Sequence, residues 1–562
     1  MSIYILRNCL ICMLILGFSS CGSSPVVPEK TVDSFLYYNG TILTMDPDQP
    51  EAAAMVVQNG HVAAVGELAD LEEIFPNVHR LDLQQRVILP GVIDSHVHVV
   101  ELGERNLKAN LVGAESVEEM IKRLRTFAPD PQPGQWLIGK GWDEGVWASM
   151  GYPDRQLLDE AFPDHPVFFE SLHGFASFCN SKTLAAAGID NNTPNPEGGT
   201  ILRRQNGEAT GILLAGAQKL VRAVVPPPNL EQTKACILEG TRLMAAAGVT
   251  SIHEAGMTPL RVQAFQELAS EGKLPIRVYG MLDGNNRVLM NQWFERGPLI
   301  DPESMFMVRS IKVFYDGSLG SRTALMKEPY SDKPEEANMS ERIGIDRIRE
   351  LALQAAQKGF QMAVHAIGDE GNDRVLALYE EVLRDFPDLD HRWRIEHAQV
   401  VLPDYYERAA KLGVISSMQS SHAVGDSKWA EDRVGPQRIR NAYAWRYILN
   451  AGAPLIMNSD LPGEPWEPWY TLYFGVTRQN AEGKPEGGWY PDQAMTVMEM
   501  LHAMTTAGAH AGFMEDHLGS LKPGAFADFV ELDHDPRSQK PEQLQNAWNP
   551  RTRVAGKRVF DQ

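Results

Sequence analysis

Eight short apolar segments recur through the middle of this chain, at 92–94, 248–252, 276–280, 311–314, 361–364, 393–396, 414–418 and 454–457, with amphipathic helical patterns between them. Short β-forming runs that alternate with helices have one common solution, a parallel sheet covered by its own crossover helices. Eight such repeats predict an α/β fold, a (β/α)8 TIM-like barrel over 91–110 and 235–514. About 140 residues separate the first segment from the second, far more than one crossover helix needs. The stretch 111–234 therefore reads as an inserted domain. It carries strand-like runs at 136–139 and 167–169, and Pro226-Pro227-Pro228 reads as its exit linker.

The two ends have a different texture. Asn39-Gly40 and Asn59-Gly60 each fall between apolar β-formers, the strongest local signal for a hairpin. A β-rich pattern returns from Leu518 to Phe560. The two ends, 34–90 and 515–562, are expected to pair into one small composite β-sandwich.

Before residue 34 the chain reads as a leader. Arg7 is the sole charge ahead of Cys21, and the apolar run from Cys9 to Phe18 is too short to span a hydrocarbon core. Its end, Phe18-Ser19-Ser20-Cys21-Gly22-Ser23, resembles a bacterial lipoprotein signal. That resemblance implies cleavage after residue 20, lipidation of Cys21 and a place in the cell envelope, periplasmic or outer-membrane side, with membrane contact through the anchor alone. The alternatives are a plain secretory signal or an apolar start on a cytosolic enzyme. Three of the five cysteines lie in this leader, which leaves Cys179 and Cys236 as two free thiols or one disulfide. A formal charge of −21 repels phosphate backbones and sets nucleic acid aside as a partner. Monomer and homodimer both stay open.

Polar residues interrupt the apolar strands at telling places. His96 and His98 follow the first segment two residues apart, a spacing that puts both imidazoles on one strand face. Lys312 lies within the fourth strand, while His365, His397 and Asp460 end the fifth, sixth and eighth. A lone histidine means little, and His-X-His arises by chance. Polar residues at the ends of five barrel strands converge on one pocket. Four imidazoles and a carboxylate there suit zinc or a similar divalent metal.

These stretches, Pro90-Gly91-Val92-Ile93-Asp94-Ser95-His96-Val97-His98, the run from Ile311 to Arg322, Val364-His365-Ala366-Ile367-Gly368-Asp369, Ile395-Glu396-His397-Ala398 and Asn458-Ser459-Asp460, resemble the metal-dependent amidohydrolase superfamily, specifically the YtcJ-like amidohydrolase family 3. The resemblance implies that His96, His98 and Asp460 bind one metal ion and that His365 and His397 bind a second. It further implies that Lys312, N6-carboxylated, bridges the two, with one or two zinc ions as the cofactor. The implied activity is hydrolysis of a C–N bond in a non-peptide or small-peptide amide, with Asp460 as general acid and base. The substrate is then a small-molecule amide.

One segment departs from the family. Where its members carry Arg-x-Asp-Gly-His-Ala, this chain has Glu170-Ser171-Leu172-His173-Gly174-Phe175-Ala176, which makes His173 and Phe175 candidates for altered substrate preference. Arg322, His422 and Trp142 are further substrate candidates, and His253, Glu254 and Asp316 are candidates for supporting roles. Two other functions compete. A deaminase of the same superfamily normally places His-x-x-Glu after the fifth or sixth strand, and His365-Ala366-Ile367-Gly368 and His397-Ala398-Gln399-Val400 lack it. A non-catalytic metal- or ligand-binding lipoprotein would tolerate loss of a ligand, and none is lost. Gly317-Ser318-Leu319-Gly320 does not fit a nucleophile elbow.

Overall fold

The computed structural model describes residues 34–143, 151–172, 174–335, 341–546 and 548–560. Each of the eight predicted segments is a strand: β1 (Val92–Val97), β2 (Val249–Met257), β3 (Arg277–Asp283), β4 (Phe306–Phe314), β5 (Gln361–Ala366), β6 (Arg394–His397), β7 (Ile415–Gln419) and β8 (Leu455–Asn458). They lie side by side in chain order, all parallel. Just past β8 the chain returns to β1 through a parallel bridge between Val97 and Leu461. The amide of Asp460 donates to the carbonyl of His96 at 3.0 Å, and that of His98 to Leu461 at 3.2 Å. Barrel closure thus falls on the residues that carry the candidate chemistry.

Helix Ile345–Lys358 illustrates how the outer layer is specified. Ile348, Leu351, Ala352 and Ala355 recur at i, i+3, i+4 and i+7 and are buried as one stripe. Gly359, at φ +77°, ends the helix in the left-handed region, and the chain enters β5 two residues later.

Strands from both chain ends make two more sheets. One orders His61–Gly66, Ala54–Gln58, Ser34–Tyr38 and His79–Asp82; the other orders Lys557–Phe560, Arg551–Val554, Phe529–Leu532, Val87–Pro90, Thr41–Leu43 and Glu51–Ala52. Tyr37, Met55 and Val57 from the first share an apolar core with Ile42, Ile88 and Phe529 from the second. A buried ion pair, Arg277 Nε to Asp528 Oδ2 at 2.7 Å, ties β3 to this unit.

The two Asn-Gly signals have different outcomes. Asn59-Gly60, with both residues at positive φ, joins an antiparallel hairpin in which Gln58 pairs with His61. Asn39-Gly40 makes no hairpin, because Ser34–Tyr38 and Thr41–Leu43 enter different sheets. The segment 83–86 captures the backbone there: Leu83 donates to Tyr38 O, Gln85 to Asn39 O, and Thr41 to Arg86 O, at 2.8, 2.8 and 3.2 Å. Asn39 alone takes a positive φ, so the two-residue turn that a hairpin needs does not form.

Between β1 and β2 a separate six-stranded sheet runs from Ala109 to Ala215, in the order Gly199–Arg203, Ala209–Ala215, Ala176–Cys179, Val167–Ser171, Leu137–Trp142 and Ala109–Asn110. It packs two apolar clusters, one around Leu111, Phe169 and Phe178 and the other around Phe168, Leu184 and Leu213. Cys179 and Cys236 are both free and buried. Among the described residues no helix is long and apolar enough to cross a membrane. The leader and Cys21 lie outside the described residues.

Candidate metal centre

Asp94 and His96 alternate along β1, and His98 follows just past its end, so all three share a face. His96 Nε2 is 3.1 Å from Lys312 Nζ and 3.5 Å from Asp460 Oδ1. His98 Nε2 approaches the same oxygen at 3.3 Å, and His397 Nδ1 is 3.8 Å from Asp460 Oδ2. The His365 ring stands 4.5 Å from that of His397, centroid to centroid. All six predicted ligands therefore meet at the C-terminal end of the barrel. Donor atoms of His96, His397 and Asp460 lie within 4.8 Å of one another. This tightest triplet crosses the division into two ion positions that the sequence resemblance implies.

Two of these candidate ligands depend on unusual backbone. His397 has φ +76° and Asp460 φ +50°, in the left-handed region that side chains beyond Gly rarely adopt, at a cost of about 1–3 kcal/mol each. Asp94 holds the second in place. Its Oδ1 accepts the Ser459 amide at 3.0 Å and its Oδ2 the Ser459 hydroxyl at 2.6 Å.

Burial sets the protonation pattern. Loss of hydration, reinforced by the charge of Lys312, pushes His96 down to about 4 and His365 to about 3, and burial beside His365 holds His397 well below its usual value. Burial also works against protonated His98, but its hydrogen bond with Asp460 outweighs that and raises it. Burial alone would raise Asp460, yet His96, His98, His397 and His422 keep it well below the carboxylate range. Lys312 falls to about 8 as burial disfavours its ammonium.

The neutral imidazoles of His96, His365 and His397, with the anionic Asp460 carboxylate, form a donor set for a cation. A further feature fits. His365 Nε2–H donates to Gly317 O at 2.9 Å, which leaves Nδ1 as a buried lone pair with no hydrogen-bond partner among the described residues. An orphaned buried nitrogen is costly unless something electropositive meets it, and a divalent metal supplies that.

The amidohydrolase family model matches residues 80–560. The chain belongs to the amidohydrolase family. It is 30% identical to YtcJ, an inferred amidohydrolase of Bacillus subtilis (strain 168), across 94% of this chain and 99% of that protein. It is 27% identical to the N-substituted formamide deformylase of Arthrobacter pascens, across 92% of this chain and 96% of the relative. An uncharacterized metal-dependent hydrolase from Pyrococcus furiosus, 28% identical, superposes with a TM-score of 0.76 over 90% of this chain and 100% of its own.

The substrate candidates of this family member separate in space. The His422 ring stacks on His397 at 5.8 Å and 25°, with Nε2 3.7 Å from Asp460 Oδ2, so it joins the site. Arg322 binds Asp332 through Nε and Nη2 at 3.1 and 2.7 Å, and Arg433 engages the same carboxylate. Phe175 is 71% exposed. His173 lies outside the described residues. Trp142 is fully buried in the insert's core against Phe178, its indole N–H donating to Phe169 O at 3.3 Å, and does not line an open cleft. It is the last residue of strand Leu137–Trp142. Trp142→Ala is therefore expected to cost about 3–5 kcal/mol of stability in denaturant titration and to leave KM unchanged. A change in KM without loss of stability would put the ring at the substrate.

Of the supporting candidates, Glu254 accepts the Val99 amide at 2.7 Å, beside His98. Asp316 accepts the amides of Leu325, Ile367 and Gly368 and so clamps the segments after β4 and β5 together. The residues that sequence reasoning passed over are Asp94, Arg394, Glu396 and Gln419. The signal for the second and third was present: two charged side chains at alternate positions of an otherwise apolar strand.

Proposed function

We propose that this protein hydrolyses the C–N bond of small non-peptide or small-peptide amides, with N-formyl amines the first class to test. The observation that carries the reading is the anionic Asp460 carboxylate ringed by four imidazoles and a buried lysine at the barrel's C-terminal end. His96, His98 and Asp460 would hold one divalent ion and His365 with His397 a second, zinc being the ion that imidazole and carboxylate best suit. When bound, the ion supplies Lewis acidity and lowers the pKa of water from 15.7 towards about 7.

The chain's own residues supply the rest. Asp460, held ionised, takes a proton from the attacking water and returns it to the departing nitrogen as the C–N bond breaks. Its Oδ1 faces His98 and its Oδ2 faces His397 and His422, which fixes the carboxylate plane. His422 is partly exposed and brings Nε2 to 3.7 Å from Asp460 Oδ2. Lys312, whose neutral amine is accessible near pH 8, is suited to add carbon dioxide with loss of one proton. Such a carbamate would place an anion beside His96 and would supply a divalent ion with a further oxygen donor.

The reading is tested by incubating the metal-loaded protein with N-formyl amines, N-acetyl amines, dipeptides and cyclic ureas and measuring amine and carboxylate together. Equimolar amine and carboxylate are expected. Ammonia without carboxylate would indicate a deaminase instead. The relatedness to a formamide deformylase supports placing N-formyl compounds first.

We propose further that Cys21 is lipidated and anchors the protein to the cell envelope. Cys21→Ser is expected to release the protein from the membrane fraction and abolish palmitate labelling, and an unlabelled wild-type protein would contradict the anchor.

A further inference from the structure

Behind the metal centre sits a charge pair with no contact to solvent. Arg394 and Glu396 are inward-facing neighbours on β6, and both side chains are fully buried. Arg394 Nε lies 2.7 Å from Glu396 Oε1, and Nη2 donates to Oε2 at 2.9 Å. The same Oε2 meets His96 Nδ1 at 2.5 Å. Nη2 also reaches Ser95 O and Ser417 Oγ at 2.7 and 3.0 Å, and Nη1 faces His253 Nδ1 at 3.0 Å.

We infer that Glu396, clamped by Arg394, is a positioning residue that fixes the tautomer and orientation of His96 and so presents its Nε2 to the metal. A carboxylate held ionised by a guanidinium is an acceptor only, so the imidazole nitrogen facing it carries the hydrogen. The lone pair of His96 is then left on Nε2, which points at Lys312 and Asp460. A carboxylate on the far nitrogen also makes the imidazole a stronger donor. Barrel stability alone does not explain the arrangement, because well-packed apolar residues serve a barrel interior as well as or better than a buried ion pair.

His397 has a different support. Its Nδ1 faces Gln419 Oε1 at 2.9 Å, while Gln419 Nε2 donates to Asn458 Oδ1 at 2.6 Å. One histidine is thus backed by a charge and the other by a neutral amide. Glu396 and His397 can serve the same site from consecutive positions because φ +76° at His397 breaks the strand alternation.

The inference rests on the metal reading of the site, and cobalt binding separates the two. The variants are Arg394→Met/Glu396→Leu, which removes pair and acceptor together, and Arg394→Met/Glu396→Gln, which keeps a neutral acceptor. Cobalt affinity is expected to fall about 10–100-fold in the first, with an altered visible spectrum, and to recover in large part in the second. Circular dichroism reports the fold. Where the apolar pair fails to fold, Glu396→Asp withdraws the acceptor by one methylene while keeping the charge, and the same direction is expected. Unchanged cobalt affinity and spectrum in a folded variant without the acceptor would overturn the role of Glu396. Failure of the wild-type protein to bind cobalt would instead overturn the metal reading and this inference with it.

Discussion

Asp460→Asn is expected to lower kcat about 10²–10⁴-fold, the range for loss of a positioned general acid and base. Asparagine keeps the shape and one carbonyl oxygen but accepts no proton at neutral pH. Its backbone tolerates the φ of +50° that Asp460 adopts, so the fold should survive. Steady-state kinetics on the best amide from the screen, with metal content measured on the same sample, checks this. A variant with full metal and undiminished kcat would remove Asp460 from the proton path. The variant should also lower the titration of His98, since the Asp460 carboxylate is what raises it.

Lys312→Ala has an equally large expected effect by a different route. Lys312 is buried among His96, Glu396 and Asp460, and its amine is 3.1 Å from His96 Nε2. If its carbamate bridges the ions, alanine leaves their charge without that anion, and most bound metal and activity should be lost. Elemental analysis of the variant against wild type, with intact-peptide mass for one added carbon dioxide on Lys312, reads both parts. Unchanged metal content would sink the bridging role. Full metal with no carbon dioxide adduct in the wild type would leave the lysine a plain amine.

The barrel was legible in the sequence because its signal is periodic: short apolar runs separated by amphipathic helices. The site was legible for the same reason, since strand C-termini in such a barrel share one pocket and their side chains need not be near in sequence. What stayed hidden depends on tertiary partners. Asn39-Gly40 carries a hairpin's local chemistry, but the segment 83–86 competes for its backbone and wins. Trp142 stands beside glycines and looks exposed, yet strand Val167–Ser171 and Phe178 cover it. Glu396 sits in a motif beside a candidate ligand, and alternation along a strand lets only one of two consecutive residues face inward. The positive φ at His397 lifts that rule, and no local pattern announces a histidine in that conformation.

If the barrel mouth is a divalent metal centre serving C–N hydrolysis, metal uptake and amide turnover rise together. Metal stoichiometry, measured by titrating zinc into the chelator-stripped protein while amide turnover is followed in the same cuvette, tests it most directly. One to two equivalents should bind, and turnover should rise in step with occupancy. Turnover that is undiminished in the stripped protein, or a protein that takes up no zinc, would contradict it.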